Sequence, residues 1–229
     1  MKMHSVNGTL RQKVRWGSAV LLVLVLGLLA YAKFYTPMSE DRAQALLEKE
    51  FVPALLNGVA PVGYPIKQGT SVALLEMKDI NVRRVVVEGT YAEDLAKGPG
   101  HLAGSALPGQ PGTSAILGRS SRYGSAFARL DELKPGQEVT VTTAQGEHTY
   151  EVIDSTVRSA NDSAAFTGER NMLLLITGVG GASPDQRLVV RALLTSPVFP
   201  AGTAAADVQT TIAELGLEGS THSPLQLAV

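Results

Sequence analysis

Apolar residues run almost unbroken from Trp16 to Tyr35, with Lys33 as the only charge; its long stem can carry that charge to an interface. A helix needs roughly 20 apolar residues to cross a bilayer, so this run predicts a transmembrane anchor over residues 16–35. After it, Ala43, Leu46, Leu47, Phe51 and Leu55 recur at helical spacing, and Ser39 before Glu40 and Asp41 reads as an N-cap with an acidic first turn. Residues 36–65 are therefore expected to hold a juxtamembrane packing helix ending near Leu56 and a Gly/Pro-rich linker, Gly58–Pro65. From Val72 the pattern shortens to β-rich runs bounded by turn residues: Val72–Met77, Val82–Glu88, Ala115–Leu117, Glu138–Thr142, His148–Ile153, Met172–Thr177 and Leu188–Leu194. That spacing argues an all-β barrel or sandwich over residues 66–196. Lys134-Pro135-Gly136-Gln137 carries the residues of a type II turn, and Ala144-Gln145-Gly146-Glu147 those of a hairpin connection. Tyr91–Lys97 reads as a helical turn or two. Residues 197–229 form an expected flexible tail, with one weak helix near Ala205–Leu215.

Charge orients this arrangement. Lys2, Arg11, Lys13 and Arg15 precede the apolar run, whereas Glu40 and Asp41 follow it. The positive-inside rule then keeps residues 1–15 cytoplasmic and places everything after about Phe34 outside, as a single-pass protein of the cell membrane. Ala30-Tyr31-Ala32 also offers an A-x-A cleavage site, but the apolar run exceeds the ~7–15 residues of a signal core, which favours an uncleaved anchor. A net charge of -1 leaves no positive surplus for a phosphate backbone, so nucleic acid is not an expected partner. The chain has no cysteine. This removes every mechanism that needs a thiolate, yet it does not argue against export, because a domain of this size can rely on its core.

Other chemistry is sparse. His4, His101, His148 and His222 are widely separated and form no metal-ligand spacing, so neither a metal nor another cofactor is expected. His148 alternates with Tyr150 beside the hairpin, where an exposed or half-packed ring is expected. Gly178-Val179-Gly180-Gly181 lacks the Gly-Lys-Ser/Thr end of a phosphate loop, and no G-x-S-x-G elbow is present.

Four segments in order carry a sharper signal: Gly98-Pro99-Gly100-His101-Leu102-Ala103-Gly104-Ser105-Ala106-Leu107-Pro108-Gly109, Ala115–Phe127, Leu173-Leu174-Leu175-Ile176-Thr177-Gly178, and Gln186–Ala192. With Leu130-Asp131-Glu132-Leu133-Lys134-Pro135-Gly136 between the second and third, the set resembles the sortase family, most of all its class D and E members, over roughly Val72 to Leu194. The resemblance implies an eight-stranded β-barrel with short helices, preceded by the single N-terminal transmembrane helix. It also implies a cysteine at a strand end that attacks a Leu-Pro-x-Thr-Gly-like sorting signal, a histidine acid and base, and a strand arginine that steadies the oxyanion or positions the substrate.

The family's Thr-Cys pair falls on Thr177-Gly178 and its Ala-Gly-His on Leu117-Gly118-Arg119, while the arginine is kept as Arg187. Gly178 has no side chain, and a guanidinium with a pKa above ~12 cannot shuttle protons at neutral pH. His101 falls at a different family position, where bracing the Gly-Pro-Gly-His turn is its expected role. Loss of one member of a nucleophile–base unit can cost on the order of 10⁶ in turnover, but a groove can still hold a peptide without its nucleophile. The expected function is thus a pseudo-sortase, binding sorting-signal peptides, surface proteins or an active sortase. The alternative is a transpeptidase or hydrolase using a hydroxyl of Thr177, Ser120 or Ser121, with Asp185 or Asp162 as base only if loops bring them in.

Overall fold

The β-branched and leucine-rich runs after residue 70 form eight strands: β1 (Ser71–Met77), β2 (Val82–Glu88), β3 (Gly100–His101), β4 (Thr113–Gly118), β5 (Glu138–Thr143), β6 (Gly146–Ser159), β7 (Met172–Gly178) and β8 (Gln186–Leu194). They close into a barrel in the order β1-β2-β3-β4-β7-β8-β6-β5. Neighbours are antiparallel except β2/β3 and β4/β7, which are parallel. The computed structural model describes residues 6–57, 60–120, 125–162, 171–179 and 185–199. The expectations for Ser121, for Gly180 and Gly181, for Gly58 and for the helix and tail after residue 199 lie outside the described residues.

Strand alternation separates two apolar layers. Leu75, Ile116, Val139, Val141, Leu173, Leu175 and Val190 fill the barrel interior. Leu174 and Ile176 point the other way and join Ala115 and Val189 in an outer cluster. The unbroken apolar run of β7 is thus a strand covered on both faces. The predicted type II turn is present: Gly136 has φ +86° and the Gln137 N–H donates to the Lys134 carbonyl at 3.2 Å. The hairpin closes through Ala144 and Gln145, with Thr143 paired to Gly146. In the segment after β2, Leu95 and Ala96 donate to the carbonyls of Tyr91 and Ala92, one helical turn.

One helix, α1 (Val6–Leu56), precedes the barrel. Ser39 does not cap a separate helix, because α1 runs through it and the acidic residues beyond it serve another purpose. Glu40, Asp41 and Gln44 reach the barrel: Glu40 accepts the Ala126 N–H, Asp41 pairs with Arg84, and Gln44 bonds both the N–H and carbonyl of Val85. Phe51, Val52 and Leu55 then pack on Leu74, Val85 and Ala144 outside the barrel. Trp16 and the aliphatic side chains described from Val20 to Leu28 are exposed. Among the described residues, no helix is long and apolar enough to cross a membrane.

Three further expectations change. The Gly-Pro-Gly-His segment is not only a turn: Gly100 and His101 form β3, inserted between β2 and β4. A Cβ on Gly100 would lie 2.1 Å from the Gly89 carbonyl oxygen, so glycine is what allows the strands to approach. The proposed tail does not start at residue 197, because the Phe199 N–H donates to the Gly109 carbonyl and its ring sits edge-on to His148. His148 itself is not exposed or half-packed but 0% accessible, bonded through Nε2 to the Thr143 hydroxyl.

Burial pushes the His148 pKa down to about 4 from its ordinary 6.5. The ring is then neutral in the fold where the unfolded chain would already be protonated. Stability therefore falls as pH drops from about 6.5 to about 4, by up to about 3 kcal/mol at 1.36 kcal/mol per unit. Urea unfolding at pH 7, 5.5 and 4 should show that loss, and His148→Gln should flatten it.

Candidate functional site

The ends of β4, β7, β8 and β6 lie side by side. Gly118 pairs with Thr177, Thr177 with Leu188, and Leu188 with Val157, in one row across four strands. The next row holds Gly178, Arg187 and Arg158 as successive cross-strand partners. Arg119 follows Gly118, the last β4 residue paired with β7, and so leaves the strand one residue beyond that ladder. Because Leu174, Ile176 and Val189 belong to the outer cluster, alternation puts Gly178 and Arg187 on that same outer face.

A cavity of about 300 Å³ occupies the strand ends, lined by Ser120, Phe127, Ala128, Asp131, Val157, Thr177, Gly178, Val179 and Leu188. Gly178 thus belongs both to the cavity wall and to the arginine row. Of the three residues of the anticipated site, Gly178 and Arg187 are ladder partners and Arg119 follows the end of β4, but the three do not converge on the cavity. The Arg119 Nη2 donates to the Ala92 carbonyl at 2.6 Å, which ties it to the turn after β2. Arg187 donates through Nη1 to the Gln186 carbonyl at 2.9 Å.

The glycines here differ in kind. A Cβ on Gly118 would lie 2.4 Å from the Phe127 ring, so packing demands glycine there. Among the described residues, a Cβ at Gly178 would meet only the Ser120 Oγ, at 3.2 Å, and the backbone needs no left-handed φ. A side chain at 178 would be admitted once Ser120 yields by a few tenths of an ångström.

The hydroxyls and carboxylates considered as a nucleophile and base are placed unevenly. Thr177 is 4% exposed and its Oγ1 donates to the Gly118 carbonyl at 2.8 Å, so its proton is already committed. Ser120 lines the cavity. Asp185 and Asp162 do not; their backbones close the β6–β8 end, with the Ala160 N–H donating to Asp185 and the Asp162 N–H to Ser159. The cavity carboxylate is Asp131 instead, carried on the 3-10 turn Leu130–Glu132, whose Leu130 is anchored in the core. Its signal was the Leu-Asp-Glu-Leu-Lys-Pro-Gly segment, which marked a motif without saying which side chain faces the cleft. Among the described residues, no group of three or more His, Asp or Glu could hold a metal ion.

The sortase domain family model matches residues 75–195, over half of the chain. The chain belongs to the sortase family. It is 32% identical over 111 residues to sortase D of Bacillus subtilis, a match covering 48% of this chain. The chain spans about half, 54%, of that relative's length. Sortase E from Streptomyces avermitilis is 28% identical, with a TM-score of 0.51 over 57% of this chain and 91% of that one. Sortase C of Clostridium perfringens, solved with the C-terminal cell wall sorting motif, shares the fold at 22% identity, with a TM-score of 0.53 over 68% and 89% of the two chains.

Two polar clusters hold this sortase barrel together. In the first, His101 Nδ1 lies 2.8 Å from Glu88 Oε2, and Tyr64 bonds the other Glu88 oxygen. Ser105 Oγ is 3.0 Å from His101 Nε2, so Ser105, His101 and Glu88 are connected as in a hydrolytic triad. The chemistry differs. Nε2 also lies 2.9 Å from the Ala106 carbonyl, which can only accept, so this nitrogen carries its hydrogen and cannot take the serine proton. Ser105 meanwhile donates to the Leu102 carbonyl and accepts the Ala115 N–H. His101 therefore braces the β2–β3–β4 connection. In the second cluster, Glu40 of α1 holds the Ala126 N–H at 3.0 Å, beside Phe127 and Ala128 of the cavity wall. Burial raises the Glu40 pKa, and Arg84 opposes that shift.

Proposed function

We propose that this sortase-family protein is a non-catalytic, membrane-anchored module that binds sorting-signal peptides, surface proteins or an active sortase during cell-surface protein anchoring. The observation that carries the reading is Gly178: the family's nucleophile position, opposite Arg187 in the ladder, has no side chain, and the chain has no cysteine elsewhere. The family's acid and base position is Arg119, a group that cannot shuttle protons. Binding capacity has independent support in the cavity beside Gly178, with Phe127, Val179 and Leu188 as apolar walls. Anchoring is supported by the apolar run from Trp16, by the cations before it, and by a helix that continues from that run into the segment docked on the barrel. The domain is then extracellular and the first 15 residues cytoplasmic.

The test uses the full chain in detergent with fluorescent Leu-Pro-x-Thr-Gly peptides, following anisotropy and, by mass, cleavage. Saturable binding without cleavage is expected. Cleavage that disappears in Arg187→Ala would overturn the non-catalytic reading. It would favour a hydroxyl-based transpeptidase or hydrolase, for which Ser120 is the available group because the Thr177 proton is held by Gly118.

A further inference from the structure

The segment Ser125–Arg129 is a partition between two cavities. Phe127 and Ala128 line the cavity beside Gly178, while Ser125, Ala126, Ala128 and Arg129 line a second one of about 290 Å³, faced from β2 by Val82 and Arg84. A wall with open space behind it lacks partner atoms on that side, so packing alone fixes it weakly. Its far end is held within the barrel: Leu130 lies in the core, and the Arg129 Nη1 donates to the Ile80 carbonyl at 3.1 Å. At its centre the Phe127 N–H donates to the Arg119 carbonyl at 3.3 Å, and the ring fills the room left by Gly118. Its near end is held from outside the barrel. There the Ala126 N–H donates at 3.0 Å to Oε1 of Glu40, a residue of α1 that lies 86 positions earlier in the chain.

We infer that Glu40 is a positioning residue for the cleft: it seats the Phe127 wall, so that the affinity of the cleft for its peptide depends on a contact made by the helix that precedes the barrel. The inference rests on the proposed peptide-binding role and specifies what holds that site in shape. A carboxylate is a costly group to bury on a docking helix, where an apolar side chain would pack at no such cost. Glu40 is nevertheless 5% exposed; burial raises its pKa, and Arg84 and, more weakly, Arg119 favour its charged form. Arg119 therefore acts on the wall twice, through its carbonyl on Phe127 and through its charge on Glu40. The docking of α1 does not itself need Glu40. Gln44 bonds the N–H of Val85 at 2.7 Å and the carbonyls of Val85 and Lys97, Asp41 pairs with Arg84, and Phe51, Val52 and Leu55 pack on the barrel. Those contacts end on other parts of the barrel, whereas that of Glu40 ends on the cleft wall. Loss of its carboxylate thus frees the wall and leaves the helix in place.

The experiment measures, on the full chain in detergent, the affinity for a fluorescent Leu-Pro-Ala-Thr-Gly-Gly amide and the amide hydrogen exchange of the wall and of α1. In the unmutated chain the Ala126 amide should be protected. Glu40→Ala should bind about 10-fold more weakly, as when the seated wall is populated about a tenth of the time. Exchange at Ala126 and Phe127 should quicken in that variant, while the α1 amides from Gln44 to Leu55 keep their protection. Glu40→Gln, which retains an acceptor oxygen, should keep most of the affinity. Asp41→Ala, which removes an exposed ion pair of the same helix, should change affinity by less than about 2-fold. Unchanged affinity in Glu40→Ala overturns the inference and leaves the peptide-binding role intact. An equal loss in Asp41→Ala or in Glu40→Gln also overturns it, since the effect would then come from helix docking or charge and not from the bond to the wall. An Ala126 amide that exchanges freely in the unmutated chain overturns it without recourse to any variant. Failure of the unmutated chain to bind the peptide overturns the inference and the proposed function together.

Discussion

Gly178→Cys combined with Arg119→His is expected to turn a protein that forms no covalent peptide adduct into one labelled at residue 178 by a sorting-signal peptide carrying a thiol-reactive end group. The geometry favours this. The Gly178 backbone does not require glycine, the nearest obstacle among the described residues is the movable Ser120 hydroxyl, and Arg187 stands opposite in the ladder. Residue 119 follows Gly118, the partner of Thr177, so an imidazole there would leave β4 next to the end of β7 that carries the new thiol. A nucleophile and its base act as a unit worth on the order of 10⁶ in rate, so the single Gly178→Cys change should label far more slowly than the pair. Intact-protein mass spectrometry over time separates the three cases. If the double variant gains no adduct, the strand ends no longer hold the spacing that the family's chemistry requires.

The second large effect concerns stability. Glu88 is 2% exposed and His101 0%, with a 2.8 Å contact between them. Glu88→Ala removes one partner of a buried pair, taking away the carboxylate that His101 Nδ1 and the Tyr64 hydroxyl both contact. A buried group left without its hydrogen-bond partner costs about 1–3 kcal/mol. The midpoint of urea unfolding should fall accordingly, and Glu88→Gln, which keeps an acceptor oxygen, should fall less. A loss below about 1 kcal/mol would mean that the pair contributes little beyond what two well-packed neutral groups would give.

How far the fold could be read in advance depends on how local its causes are. The type II turn at Lys134–Gln137 and the hairpin at Ala144–Glu147 are encoded in adjacent residues, through the conformational freedom of glycine and the fixed φ of proline, and both are present. β7 announced itself as an apolar run, because both of its faces are covered. β3 gave no such signal. Two residues inside a Gly/Pro segment have no periodicity, and they become a strand only because β2 and β4 supply partners. Ser39 looked like a helix start because the acidic residues after it suit a first turn; in the fold those residues answer barrel groups distant in sequence. His148 likewise gave no sign of burial, since what covers it comes from Gly109 and Phe199.

The site divides in the same way. Sequence alone determined that this chain has no cysteine, and its resemblance to the family, carried by ordered motifs, implies that Gly178 stands at the thiol position, Arg119 at the proton-shuttle position and Arg187 at that of the family arginine. Only the tertiary structure decided that Arg158 faces Arg187, that Asp131 rather than Asp162 or Asp185 enters the cavity, and that the Thr177 hydroxyl is already bonded. Each of those depends on register between strands far apart in the chain, where a shift of one residue would send every side chain to the opposite face.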